Sequence, residues 1–323
     1  MRHVTIRQLQ LFVAAAETLS FARVAENLHL TPAGVSFQIK QIEGLSGFAL
    51  FERVGKKAAL TEAGRTLLGH AKQVLRSLED ADQAMMALKG LTGGQVTIGL
   101  VSTAKYLVPH MLARFRAEHP GIVIHLREGN RREINSAIIN GEIDLAVMGQ
   151  PLPGVDVAAE PFAPHPSVII AAPDHPLAAY PPADQPLLPA GLLAGENFVL
   201  REEGSGTRAL FDRFFDRAGF APRVAMMTSS NETIKQAVMA GMGVALISGH
   251  TIGLELRLGL LTTLAVDGFP LMRSWFIAHR RNMPLLPVHK HLRSFFLDEG
   301  ASIIDELDRD YRRLAAAQAI RVS

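Results

Sequence analysis

The chain has 323 residues and a mass of 35.0 kDa, a length that at roughly 150 residues per domain suggests about two domains. With 48% hydrophobic and 20% charged residues it is ordinary globular, which excludes a disordered chain, a collagen or a coiled-coil rod as the whole molecule. The absence of cysteine excludes disulfides, thiolate metal sites and cysteine nucleophiles together, and fits a reducing compartment.

No unbroken apolar stretch follows Met1-Arg2-His3, so a signal peptide is not expected and the chain reads as cytoplasmic, without a membrane partner. The net charge of +2 is unevenly spread, residues 1–66 carrying eight Lys/Arg against five Asp/Glu. That asymmetry suggests a small anion-binding module attached to a larger, nearly neutral body.

In chain order, Leu9, Phe12, Val13 and Ala16 take the spacing of one helical face, which stops near Leu19. Phe21, Val24, Ala25 and Leu28 repeat it behind Ser20, whose hydroxyl can cap a helix start. Thr31-Pro32 opens a third helix with proline at the first position, and Val35, Ile39 and Ile42 form its buried stripe. Only His29 and Leu30 lie between the second helix and the cap of the third, so the pair must turn sharply, as in a helix-turn-helix.

The exposed face of the third helix would carry Ala33, Ser36, Phe37 and Lys40, a set able to touch base edges, a thymine methyl and phosphate. Phe51 to Arg53, a turn at Gly55-Lys56-Lys57 and Ala59-Leu60 then read as a hairpin with cations Arg53, Lys56 and Lys57 at or near its tip, like a DNA-binding wing. Periodicity alone leaves a second reading open, a three-helix scaffold with solvated lysines. The run from Ile6 to Arg65, containing RQLQLFVAAAETLSFARVAENLHLTPAGVSFQIKQIEGLSGFALFER and then LTEAGR, resembles the amino-terminal domain of LysR-type transcriptional regulators. The resemblance implies a winged helix-turn-helix over residues 1–60 and a duplex DNA operator as partner. Pro32-Ala33-Gly34 replaces the polar start usual in that family, and Phe37 a frequent arginine.

From Thr61, apolar residues fall at Leu67, Ala71, Val74, Leu78, Ala81, Met85 and Leu88. These alternating steps of four and three make a heptad seam and predict a helix over 61–92 that pairs with its copy in a second subunit; packing on its own domain is the alternative. Gly90 and Gly93-Gly94 mark the boundary.

The remainder alternates. Strands are expected at Gln95–Val101, Ile122–Leu126 and Leu145–Met148, with helices at Tyr106–Glu118 and Arg131–Asn140. After a proline-rich connection, Pro151 to Pro166, come strands near Val168–Ile170, Phe198–Leu200, Val224–Met226 and Val244–Ile247, with helices near Thr207–Ala218 and Glu232–Ala240. Strands at Leu261–Val266 and Arg273–Ala278 and a helix at Pro287–Leu297 return the chain to the first half. The expected class is α/β with a parallel sheet in two lobes, about 93–163 with 268–300 and about 164–267, and a charged carboxyl-terminal extension at 301–323.

Ligands of open α/β sheets bind beyond the carboxyl ends of the strands, where helix starts favour anions. Those ends hold Ser102-Thr103, Asn130, Gly149-Gln150 and the run REEGSGTR at 201–208, and Asn231 is read as a helix cap. Gly204 to Thr207 between Arg201 and Arg208 offers amides, hydroxyls and two cations to a phosphate or carboxylate; equally, it is a helix cap with either arginine paired to Glu202 or Glu203.

The segment from Gln95 to about Phe296 resembles the LysR-type effector domain, which has the two-lobed fold of periplasmic solute-binding proteins. VSTAKYLVPHMLARF, EGNRREINSAIINGEIDLAVMGQP, REEGSGTR and SNETIKQAVMAGMGVALIS are similar to regulators of the Calvin-cycle (RuBisCO) operon. That resemblance implies activation of carbon-fixation genes, an effector that is a phosphorylated sugar or NADPH with no resident cofactor, a homodimer or dimer of dimers, and RNA polymerase as a further partner. It places Ser102, Thr103, Asn130, Gly149, Arg201, Thr207, Asn231 and Ser248 in the effector site. The sequence holds no GxSxG, HExxH, P-loop or complete GxGxxG, and its histidines show no metal-ligand spacing, so neither an enzyme nor a metal site is expected. A regulator of another pathway sensing a carboxylate, or a solute-binding protein, remain as alternatives.

Overall fold

The computed structural model describes residues 3–55, 57–88, 93–179 and 187–322. They form two compact units, one centred on Met1–Leu91 and one on Thr92–Ile139 with Ile143–Ser323.

In the first unit, α1 (Ile6–Thr18) starts at Thr5, whose hydroxyl accepts from Gln8 N–H while the Gln8 side chain accepts from Thr5 N–H, a capping box. Leu19 ends it in the left-handed region. Ser20 caps α2 (Phe21–Asn27) and Thr31 caps α3 (Pro32–Ser46), both as the sequence implies. Phe12, Val24, Val35 and Ile42 are fully buried and close the three helices on one core. A hairpin follows, β1 (Phe51–Val54) against β2 (Lys57–Leu60) with Phe51 opposite Leu60. It is tied to α3 by the Glu43 carboxylate, which accepts from Leu50 N–H at 2.8 Å.

Thr61 caps α4 (Glu62–Leu88), its hydroxyl accepting from Gly64 N–H at 3.0 Å. Gly64 admits no side chain, because a Cβ there would lie 2.1 Å from the Leu50 carbonyl oxygen. The expected seam divides along this helix. Ala71 is 1% exposed within the core of its own unit, and Leu67 packs on the same core. Val74, Leu78 and Met85 are 44%, 43% and 57% exposed. The helix leaves the hairpin across α1, with a Lys72–Glu17 ion pair at 2.8 Å, so its first turns are occupied and only the later apolar positions are open. The side chain of Leu88, and Gly90, lie outside the described residues.

The second unit opens with β3 (Gly94–Val101), α5 (Val108–Glu118), β4 (Ile122–Gly129), α6 (Arg131–Ile139) and β5 (Leu145–Met148). β3 runs parallel to both β4 and β5, the right outcome for strands joined by helices. The proline-rich connection is a strand instead: β6 runs unbroken over Val157–Ala171. It pairs antiparallel with β11 (Leu271–Arg280) along 157–167, while β9 (Ala245–Ser248) pairs with its opposite edge only at 167–170. Pro164 and Pro166 share one phase of the ladder beside that unpaired edge, where a missing N–H costs no hydrogen bond.

The second lobe adds β7 (Asn197–Arg201), α7 (Gly206–Ala218), β8 (Arg223–Thr228) and α8 (Asn231–Met239) before β9, then α9 (Gly253–Arg257) and β10 (Thr262–Leu264). β7 and β8 are parallel, whereas β9, β10 and β11 all pair antiparallel with β6. The sheet is therefore mixed and not parallel throughout. One apolar core holds Val96, Met111, Phe115, Ala163 and Trp275, and two others, with Phe198 and Ile169 in one and Ile234 and Ile247 in the next, hold the second lobe. The lobes thus share β6 and β11. The final helix, α10 (Pro287–Val322), is one continuous element past residue 300, with Ile303 and Ile304 buried in the first core.

Candidate functional site

Two surfaces carry the candidate residues, and each belongs to one unit. On the first, α3 turns Ala33, Phe37 and Lys40 to solvent, with Phe37 58% exposed and Ser36 half-buried. These positions lie opposite the buried stripe of Val35, Ile39 and Ile42. Arg53 is exposed on β1. Lys56 lies outside the described residues; Lys57 begins β2, with its side chain outside them.

On the second unit, a cleft of about 820 Å³ opens between the lobes, within the size range of small-molecule sites. Ser102, Thr103, Asn130, Gly149, Arg201 and Thr207 line it, six of the eight residues expected there. Helix starts face it: Asn130 precedes α6, accepting from Glu133 N–H at 3.0 Å, and Ser205 caps α7 by accepting from Thr207 N–H at 3.2 Å. Asn231 and Ser248 stand behind the wall. Asn231 Oδ1 accepts from Arg201 Nη1 at 2.7 Å, and Ser248 Oγ meets His165 Nε2 at 2.9 Å. The cap of α8 is Ser230 and not Asn231, which is buried in the first turn.

The two arginines of the REEGSGTR run part company. Arg201 lines the cleft but its fork is committed to Glu202, at 2.8 and 3.1 Å. Arg208 turns away to Asp212 at 2.8 Å, one helical turn on in α7, and does not line the cleft. Both arms of the open alternative are therefore partly realised, with Arg201 at once a wall residue and an ion-pair partner.

The cations facing the cleft come from elsewhere. Arg131, Arg213, Arg273 and Arg281 join Arg201 in a lining that contains five arginines and no carboxylate. Arg281 is paired to Asp156 at 3.7 Å. Arg131, Arg213 and Arg273 make no ion pair among the described residues, and Nε of Arg131 and of Arg273 is buried without a hydrogen-bond partner. Arg273 donates to Ser167 Oγ at 2.9 Å. Burial and then the neighbouring Arg213 and Arg131 draw the Arg273 guanidinium down to about 10; burial and Arg213 lower that of Arg131. Two partly desolvated cations, Arg131 and Arg273, with the exposed Arg213 beside them, form a site whose electrostatics an anion would relieve. The sequence signal was slight: Arg131 directly follows Asn130 at a strand end, and Arg273 is one cation of a strand that also holds Arg280.

The lobes are also linked directly. The Tyr106 hydroxyl, from the turn after β3, donates to the Glu232 carboxylate of α8. Glu232 pairs with buried Lys235 at 3.0 Å, which also reaches Glu255 at 2.7 Å and lies 5.0 Å over the Tyr106 ring. Burial and this carboxylate push the Tyr106 hydroxyl well above its ordinary range. Burial alone would raise Glu232, but bonds from Tyr106 and Lys235 hold it below the usual carboxylate value. Tyr106→Phe deletes a hydrogen bond to a charged group, about 1–2 kcal/mol, from this link between lobes. Ligand dissociation followed by stopped flow is expected to accelerate several-fold, with the melting temperature lowered by a few degrees; an unaltered rate would mean that the link does not resist opening.

Comparison with known proteins agrees with the two-unit architecture. Residues 6–65 match the bacterial regulatory helix-turn-helix proteins of the lysR family, and residues 89–301 the LysR substrate binding domain. The HTH-type transcriptional regulator CfxR of Cupriavidus necator is 44% identical over 320 residues, 99% of this chain and 98% of that protein. The RuBisCO operon transcriptional regulator of Allochromatium vinosum is 42% identical over 299 residues, 93% and 97% of the two chains. Among solved structures, the Synechocystis PCC6803 CcmR regulatory domain in complex with 2-PG superposes with a TM-score of 0.60 at 34% identity, covering 63% of this chain and 96% of that one. Among the described residues, no helix is long and apolar enough to cross a membrane. A helix-turn-helix head with its hairpin, a long linking helix and a two-lobed domain with a cleft, matched in order and over nearly the whole length, make this chain a member of the LysR family of transcriptional regulators.

Proposed function

We propose that the chain is a cytoplasmic, dimeric regulator that activates carbon-fixation (RuBisCO operon) genes when an anionic, phosphorylated metabolite occupies the cleft. The observation that carries the ligand class is the lining itself, five arginines without a carboxylate. The relatives support the target genes: one is named for the RuBisCO operon, and the CcmR domain is in complex with 2-PG. In this reading α3 enters the major groove, Arg53, Lys56 and Lys57 meet phosphate, and RNA polymerase is the downstream partner. A phosphorylated sugar, NADPH and 2-PG are the effectors to compare.

Calorimetric titration of the full chain with these compounds and with unphosphorylated carboxylates tests the cleft. Phosphorylated ligands should bind at least tenfold tighter, and parity with carboxylates would move the assignment to a carboxylate sensor. For the head, replacing Ser36, Phe37 and Lys40 together is expected to remove operator preference, each lost base contact being worth about 1–3 kcal/mol. Lys56→Ala with Lys57→Ala should instead weaken operator and random DNA alike and flatten the salt slope by about two units at most. Unchanged operator preference in the α3 variant would exclude this helix as the reader.

A further inference from the structure

Beside the arginine cluster one wall of the cleft is held rigid. His165 sits on β6 directly opposite Arg273 on β11, lines the cleft and is 2% exposed. Its ring stacks on the Trp275 indole, with centroids 3.8 Å apart and planes within 8°. Trp275 is fixed in turn, its Nε1 hydrogen donated to His250 Nδ1 at 3.2 Å. Nε2 of His165 lies 2.9 Å from Ser248 Oγ, while Nδ1 is buried with no hydrogen-bond partner. Buried nitrogens of this kind are nearly always satisfied, and a ring clamped by stacking cannot rotate to find a partner. What Nδ1 lacks must therefore come to it.

Resting on the anion-cleft reading above, we propose that His165 is a ligand-contacting residue whose Nδ1–H donates a hydrogen bond to the bound anion, and that anion binding loads one proton onto this ring. The surroundings supply the coupling. Facing His165 are Arg273 from β11, Ser248 from β9 and His250 from the turn after β9. Arg131 and Arg213 stand behind Arg273, and Asp305 and Asp308 of α10 face His250. In the free protein burial, Arg273 and His250 together hold the imidazole neutral, well below its ordinary value. An anion among the arginines cancels the repulsion and gives the ring's second proton an acceptor, so the value rises on binding. Protons are then taken up between the free and bound values, and affinity increases as pH falls through the bound one.

Sulfate, which keeps its charge from pH 5.5 to 8, is the probe, and the full chain is titrated by calorimetry in two buffers of different ionisation enthalpy. The wild type is expected to bind sulfate about tenfold tighter at pH 5.5 than at pH 8, the consequence of the His165 value returning on binding to the ordinary histidine range, about one unit above pH 5.5, from a free value well below it, with net proton uptake at pH 5.5 approaching one per ligand. His165→Asn keeps a donor near the Nδ1 position but cannot titrate; it should bind equally at both pH values, with no His-dependent uptake, while the emission of Trp275 checks that the stack persists. Wild-type binding that is independent of pH, or an Asn variant that retains the wild-type pH dependence, overturns the proposal and leaves the anion cleft standing. Absence of sulfate binding at either pH overturns both readings.

Discussion

Arg273→Met is expected to abolish the response to an anionic ligand while raising the melting temperature of the ligand-free protein. On the ligand side it removes a charge-assisted hydrogen bond worth about 1.5–3 kcal/mol, or roughly 10- to 150-fold in affinity. On the stability side, a guanidinium drawn down from its ordinary range to about 10 by burial and two like charges costs the fold on the order of 2–3 kcal/mol, discounting for residual solvent. Against that stands the lost bond to Ser167 Oγ at 2.9 Å, about 1 kcal/mol. The net gain of about 1–2 kcal/mol should appear as a rise of several degrees for a unit of this size. The group's folded value is depressed and its charged form is the disfavoured one, so the cost is complete below about pH 10 and fades as the pH rises from there toward the ordinary guanidinium range. Calorimetric melts of wild type and variant, with and without a phosphorylated ligand, give both signs at once. A variant that melts lower would show that Arg273 is stabilised by its surroundings and that the crowding argument fails.

Such opposed effects are expected where function demands a local arrangement that folding alone would reject. The like-charged trio of Arg131, Arg213 and Arg273 is assembled by three separate elements: the start of α6, the middle of α7 and the crossing strand β11. Nothing in the local sequence of any of them reports the others. That is why the local sequence points to the strand ends and helix starts of the cleft and to one of its cations, Arg201, but not to Arg131, Arg213 or Arg273. Arg201 and Arg208 flank the same glycine loop in sequence, but Arg208 is the third residue of α7, and helical rotation carries it round to Asp212. By contrast Ser102, Thr103, Asn130 and Thr207 could be read directly, because their position depends only on where a strand ends.

The fold shows the same division. The caps Ser20 and Thr31 and the stripe of Val35, Ile39 and Ile42 are local signals with local consequences, and they stand where the spacing puts them. The stretch 157–166 misleads because proline argues against a strand only if the ladder needs its N–H. Whether it does is decided by β9 ending at Ser248, some eighty residues away. Likewise the heptad positions of α4 are identical in type along the helix, and only the packing of α1 against its first turns separates Ala71, buried, from Leu78 and Met85, open.

That separation locates the largest expected effect on assembly. Leu78→Lys with Met85→Lys should leave the head folded, since neither side chain is part of its core: they are 43% and 57% exposed in the single chain. In a pair of α4 helices each substitution places like charges across the seam where apolar side chains would otherwise meet, removing burial worth about 1.5–3 kcal/mol per side chain and adding repulsion. The loss is counted twice, because the pairing is symmetric. Specific binding of an operator with two half-sites depends on two reading heads held at fixed separation, so it should fall far more than binding to random DNA. Sedimentation velocity should show a monomer with normal helix content, and Ala71→Lys, aimed at the buried position, should instead unfold the head. If the double variant stays dimeric with its operator affinity intact, the open stripe of α4 is not the seam, and the pairing must rest on other surfaces of the molecule.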